Sequence, residues 1–106
     1  TVKFKNKPSK EEILEAWANY EGLPQQYNLP QAPEHFIHYW EDPSHPQAKY
    51  DATIDKGMAI QISRLREDSI LDYKFACLSH NTLRGAAGGA VLTAELLYKL
   101  GWIQAR

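Results

Sequence analysis

The chain reads as an α+β domain, a mixed and largely antiparallel sheet with helices packed on one face, on three observations. Apolar and polar residues alternate over residues 1–7, 35–40, 58–65 and 73–78, the period of half-buried strands. Two other stretches carry apolar residues at helical spacing, one following Ser9 and one running through Val91, Ala94, Leu97 and Leu100. The strands at 58–65 and 73–78 lie close enough in sequence to pair antiparallel.

Each element has a local reason. Val2 and Phe4 alternate with Lys3 and Lys5 until Pro8 stops the first strand. Ser9-Lys10-Glu11-Glu12 is a capping box that opens a helix. Ile13, Trp17 and Tyr20 form its apolar stripe, Leu14 and Ala18 widen it, and Gly22 is expected to end it. Between 23 and 33, Pro24, Pro30 and Pro33 stand among Gln25, Gln26, Asn28 and Gln31, a composition that reads as a crossing loop. The aromatic run 35–40 is a short strand closed by Glu41-Asp42-Pro43, and 44–56 reads as loop. Gly57 opens the next strand, in which Met58, Ile60 and Ile62 face one way and Ala59, Gln61 and Ser63 the other. Arg64, Arg66, Glu67 and Asp68 form a charged exit expected to be salt-bridged. Tyr73, Phe75 and Cys77 share one face of the following strand. The final helix starts after Ser79, stops at Gly101 and carries Gly85, Gly88 and Gly89 in its first turns. Each interior glycine costs about 1 kcal/mol relative to alanine, which points to close approach by a backbone or a ligand.

Size and charge exclude several functions. At 106 residues and 12.1 kDa the chain is one domain, 1–106, too short to hold a cofactor domain and a substrate domain together. Twelve basic against 13 acidic residues give a net charge of -1, with no footprint for nucleic acid. The longest apolar stretch is broken by Thr93, Glu95 and Lys99, so no membrane span is expected. Cys77 is the single cysteine, which rules out an intrachain disulfide and fits a reducing, cytoplasmic setting.

Candidate chemistry is sparse. His35, His38 and His45 lack the second ligand pair that a structural zinc needs, so no metal is expected. Cys77 lies in an apolar strand and reads as a packed core thiol, with no activating cation in sequence beyond Lys74 on the other face. The segment 85–89 lacks both the G-x-G-x-x-G turn and a P-loop lysine, leaving tight helix packing and an anion cradle as its two readings. Asn81, at the junction of strand and helix, either caps that helix or offers a donor and acceptor to a ligand.

The run Ser63-Arg64-Leu65-Arg66-Glu67-Asp68, the strand 73–78 and then Ser79-His80-Asn81-Thr82-Leu83-Arg84-Gly85-Ala86-Ala87-Gly88-Gly89-Ala90 resemble the C-terminal part of the aspartate-semialdehyde dehydrogenase family. The resemblance spans nearly the whole chain, through the Glu41-Asp42-Pro43 turn, the long loop into Met58 and the Ser9 helix. His80 stands where the family commonly has Asp, and Gly88-Gly89 where it has a bulkier residue plus Asn, while Asn81 is kept.

The resemblance implies the C-terminal domain of the glyceraldehyde-3-phosphate dehydrogenase-like fold. On it the chain is a fragment of the substrate and dimerisation domain plus the C-terminal helix, without the N-terminal cofactor domain. It implies a parent enzyme of aspartate-family amino-acid biosynthesis that links aspartyl phosphate and aspartate semialdehyde through a covalent thiohemiacetal, with NADP as hydride carrier and phosphate as co-substrate. Asn81 and Gly85 are carried over as cofactor contacts. No catalytic residue is carried over, because the family's cysteine, arginine and histidine lie upstream of Thr1. The expected partners are a second copy of the chain and its own cofactor domain, and the fragment alone is expected to be inactive. A non-enzymatic dimerisation module is the rival reading, and an anion-binding module using 81–89 is a weaker one.

Overall fold

The structure is a computed structural model that describes residues 1–106. Its first helix, α1 (Lys10–Ala18), begins as the capping box requires. The Glu12 N–H donates to Ser9 Oγ at 3.1 Å, and the Ser9 N–H donates to Glu12 Oε2 at 2.7 Å. These bonds hold the Glu12 carboxyl below its ordinary range. The helix ends at Ala18, two residues before Tyr20 completes the expected stripe, and the Asn19 N–H closes on the Glu15 carbonyl. Gly22 is extended and instead starts a second, one-turn helix, α2 (Leu23–Gln26), inside the region read as loop. Pro24 sits in the first turn of that helix, where a missing N–H costs nothing.

Three strands follow: β1 (Ile37–Trp40), β2 (Ile60–Glu67) and β3 (Tyr73–Leu78). They lie in the order β1-β2-β3, with β1 parallel to β2 and β3 antiparallel to it, so the sheet is mixed. The parallel pairing is possible because residues 41–59 form a crossover long enough to return the chain to the same end. That crossover, read as plain loop, holds a one-turn helix, α3 (Ala48–Asp51), and a 3-10 turn, Ile54–Gly57. The 1–7 strand shrinks to a bridge at Val2, whose N–H donates to the Tyr73 carbonyl at 2.8 Å.

Strand β2 begins two residues later than expected and runs through the supposed exit, because Arg64 at φ 57° forms a bulge that keeps Leu65 inward. The exit is not paired as expected. Glu67 meets Lys7 and Asp68 meets Lys74, while Arg66 donates to the Arg64 carbonyl. Both faces of β2 are covered. Ile13, Leu65 and Tyr73 make one small core with Trp17, Tyr39 and Phe75 under α1. On the other face Ala59, Gln61 and Ser63 are buried beneath the crossover, so alternation did not separate an inner from an outer side.

After β3 the chain makes a π-turn, Leu83–Ala87, and continues as α4 (Gly88–Lys99). Leu92 and Leu96 of α4 pack on Leu29, Ala32 and Met58, forming a second core. The Gln31 N–H donates to Glu95 Oε2 at 3.0 Å and ties α4 to the proline-rich crossing. No helix is long and apolar enough to cross a membrane.

Candidate functional site

The strand β3 ends at Leu78, and the next nine residues turn the chain into α4. The turn is built from bonds reaching back five residues. Gly85 N–H donates to the His80 carbonyl at 3.0 Å, Ala87 N–H to that of Thr82 at 2.9 Å, and Gly88 N–H to that of Leu83. A π-turn of this kind widens the helix and often marks a functional position. His80, not Asn81, caps it: Nδ1 of His80 accepts the Leu83 N–H at 3.1 Å. Asn81 is left exposed at the outer edge of the turn, with no side-chain hydrogen bond to the rest of the chain.

The three glycines divide by cause. A side chain at Gly88 would overlap Met58 Sδ and come within 2.9 Å of the Leu83 carbonyl oxygen, and one at Gly89 would come within 2.6 Å of the Arg84 oxygen. These two permit the π-turn to close on Met58. Gly85 is different, since a methyl there meets only Asn81 Oδ1 at 3.6 Å and the His80 oxygen at 3.7 Å, which is ordinary contact. Gly85 is exposed beside Asn81, so the two residues carried over from the sequence share one open corner.

Arg84, in the same turn, stacks over the Phe36 ring at 4.3 Å. Burial lowers its pKa, with Tyr20 acting in the opposite direction. It is joined to no carboxylate.

The remaining candidates lie elsewhere. Cys77 is exposed, contrary to the core reading, because the cluster under α1 takes in Tyr73 and Phe75 of β3 and stops short of it. Burial nonetheless raises its pKa, and no cation offsets this, so the thiol is not an activated nucleophile. The histidines are separated rather than gathered. His38 Nε2 meets Asp55 Oδ2 at 2.7 Å, and His45 Nδ1 meets Asp51 Oδ2 at 2.7 Å. No three His, Cys, Asp or Glu side chains are placed to hold a metal.

Around His45 the sequence concealed a polar cluster. The ring stacks on Trp40 at 4.3 Å, Trp40 Nε1 donates to buried Gln61 at 2.9 Å, and Ser63 Oγ donates to the His45 carbonyl. The Gln47 N–H donates to Asp51 Oδ2 at 2.6 Å, which together with His45 keeps the Asp51 carboxyl below its ordinary range. The one sequence signal for it was the pair of polar residues on an otherwise apolar strand. These bonds clamp the crossover to β2, a structural task, and leave one buried atom of the cluster, Gln61 Nε2, without a hydrogen-bond partner. The shallow pockets lie between the proline-rich crossing, α1 and β1, and none is lined by residues 79–89.

Known proteins share nearly the whole of this segment. Over 97% of its length the chain is 39% identical to aspartate-semialdehyde dehydrogenase of Aspergillus fumigatus, and over 95% it is 40% identical to that of Schizosaccharomyces pombe. The chain belongs to the aspartate-semialdehyde dehydrogenase family. It spans about 30% of the length of those relatives. The crystal structure of aspartate-semialdehyde dehydrogenase with NADP from Candida albicans superposes with a TM-score of 0.84 at 34% identity, over 97% of this chain and 29% of that one. A malonyl CoA reductase (NADP) of Metallosphaera sedula is 39% identical over 99% of the chain and 30% of its own length. The family therefore shares this segment with a reductase named for a different substrate. No family model matches the chain.

Proposed function

We propose that the chain serves as the C-terminal substrate and dimerisation part of an NADP-dependent aspartate-semialdehyde dehydrogenase, a cytoplasmic oxidoreductase of amino-acid biosynthesis. In this reading Asn81 and Gly85 approach the nicotinamide end of the cofactor. The thiolate and the base for the covalent step come from outside these 106 residues, so the chain by itself is inactive. The observation that carries the reading is the likeness, at TM-score 0.84, to an enzyme solved with NADP. The open corner agrees with it. Asn81 has a free amide to give a carboxamide ligand, and glycine at 85 is not demanded by the chain's own packing.

NADP would supply hydride chemistry when bound, while this chain's part is to shape one wall and to hold the amide of Asn81 in position. The second reading, reduction of malonyl CoA, is favoured by an equal 39% identity to the Metallosphaera enzyme. Steady-state assay of the complete protein containing this chain separates the two. We expect NADP reduction with aspartate semialdehyde and phosphate, and no oxidation of NADPH by malonyl CoA. The reverse pattern assigns the second reading, and no turnover with either leaves a non-enzymatic interaction module.

A further inference from the structure

One side chain caps the last helical segment, and it is an imidazole. His80 Nδ1 accepts the Leu83 N–H at 3.1 Å, and the Thr82 hydroxyl oxygen lies 3.3 Å from the same nitrogen. Accepting an amide hydrogen requires a lone pair on Nδ1, so the ring is the neutral tautomer with its proton on Nε2. Behind the turn there is no slack. A side chain at Gly57 would come 2.7 Å from Leu83 and 3.3 Å from His80 Cβ, and one at Gly88 would overlap Met58. Asn81 lies between the cap and the residue it caps, so its direction depends on this bond.

We propose that His80 is a positioning residue whose neutral imidazole holds the 81–85 turn in place and whose protonation releases it; its bearing on the cofactor rests on the reading of Asn81 and Gly85 given above. In the imidazolium, Nδ1–H would face the Leu83 N–H, two donors in opposition. Thr82 Oγ1 is then the acceptor within reach, and the cap on Leu83 is lost. The added charge also sits at the start of a helical segment, where the peptide dipoles disfavour a cation. No acid offsets it. The charged groups on the elements packed against His80 are Asp55 and Lys56, which precede Gly57, and Arg84 in its own turn. Asp55 is engaged by His38 and Arg84 lies over Phe36, and none of the three forms an ion pair with His80. An aspartate at position 80 would accept the same N–H without changing charge above about pH 5.

The test is amide exchange in the 15N-labelled chain between about pH 8 and pH 5, the interval over which histidines change charge. Leu83 protection, corrected for the intrinsic pH dependence of exchange, should fall roughly tenfold with the same midpoint as the His80 ring shifts. His80→Asp should hold the protection level across the interval, and His80→Phe should lower it at every pH. Protection that stays level while the ring titrates, or that falls equally in His80→Asp, overturns the proposal. NADP added at the high-pH end to the complete protein containing this chain tests the cofactor reading separately. If the Asn81 and Gly85 amides do not move, that reading fails, and the Leu83 profile alone still decides the role of His80.

Discussion

Glycine stands at 85, 88 and 89 for two different physical reasons, and substitution separates them. At Gly88 a methyl group has no room between Met58 and the Leu83 carbonyl. Overpacking of this kind costs about 1–3 kcal/mol, so Gly88→Ala should lower the urea midpoint accordingly. At Gly85 a methyl group fits, and the change in stability should stay within about 1 kcal/mol. Equal loss in both variants would contradict this division. The sequence made the glycine cost visible but not its cause, since Met58 and Leu83 reach these positions only after the chain has folded back. The same is true of Asn81 and His80. Both residue types suit a cap, and which one serves was decided by the five-residue turn that brings the Leu83 N–H to the imidazole.

At the scale of elements, the β2–β3 hairpin rests on Asp68. Its Oδ2 accepts the N–H groups of Leu71 at 2.9 Å and Ile70 at 3.2 Å, and Oδ1 meets Lys74 at 3.2 Å. The Leu71 bond is the largest cause, and together they lower the carboxyl pKa to about 2. A depressed pKa stabilises the fold above the unfolded value of about 4 and loses that stabilisation as pH falls toward the folded value. Asp68→Asn should therefore be less stable than the parent at neutral pH, with the gap closing between about pH 4 and pH 2. Urea unfolding across that range measures it, and a gap that does not vary with pH would remove the hairpin from the account. The strand pair itself was readable from alternation and proximity. Its bulge was not, because a left-handed arginine at 64 carries no sequence mark of the kind a glycine gives.

For the whole molecule, the balance of buried and exposed surface is the main fact. The chain extends 56 × 34 × 20 Å, and 14 of its 106 residues are buried, in two small separate cores. Ile70 at 87%, Trp102 at 80% and Tyr98 at 61% exposure are large apolar groups facing water. So much uncovered apolar surface is unusual for a monomer and favours association. We expect the isolated chain to self-associate, with a light-scattering mass above 12.1 kDa that rises with concentration. A mass constant at the monomer value over a wide concentration range would contradict it.

By itself the sequence determined the α+β class, the Ser9 helix, the antiparallel strand pair and the family, because those features depend on residues near one another in the chain or on a motif carried intact. Only the tertiary structure decided the rest. It made β1 a parallel neighbour of β2, buried the polar side of β2 under the crossover and left Cys77 exposed. It also gave the helix cap to His80 and left Asn81 and Gly85 together on an open corner. These outcomes turn on which distant segment covers which surface, and burial of that kind is set by the packed whole rather than by local pattern.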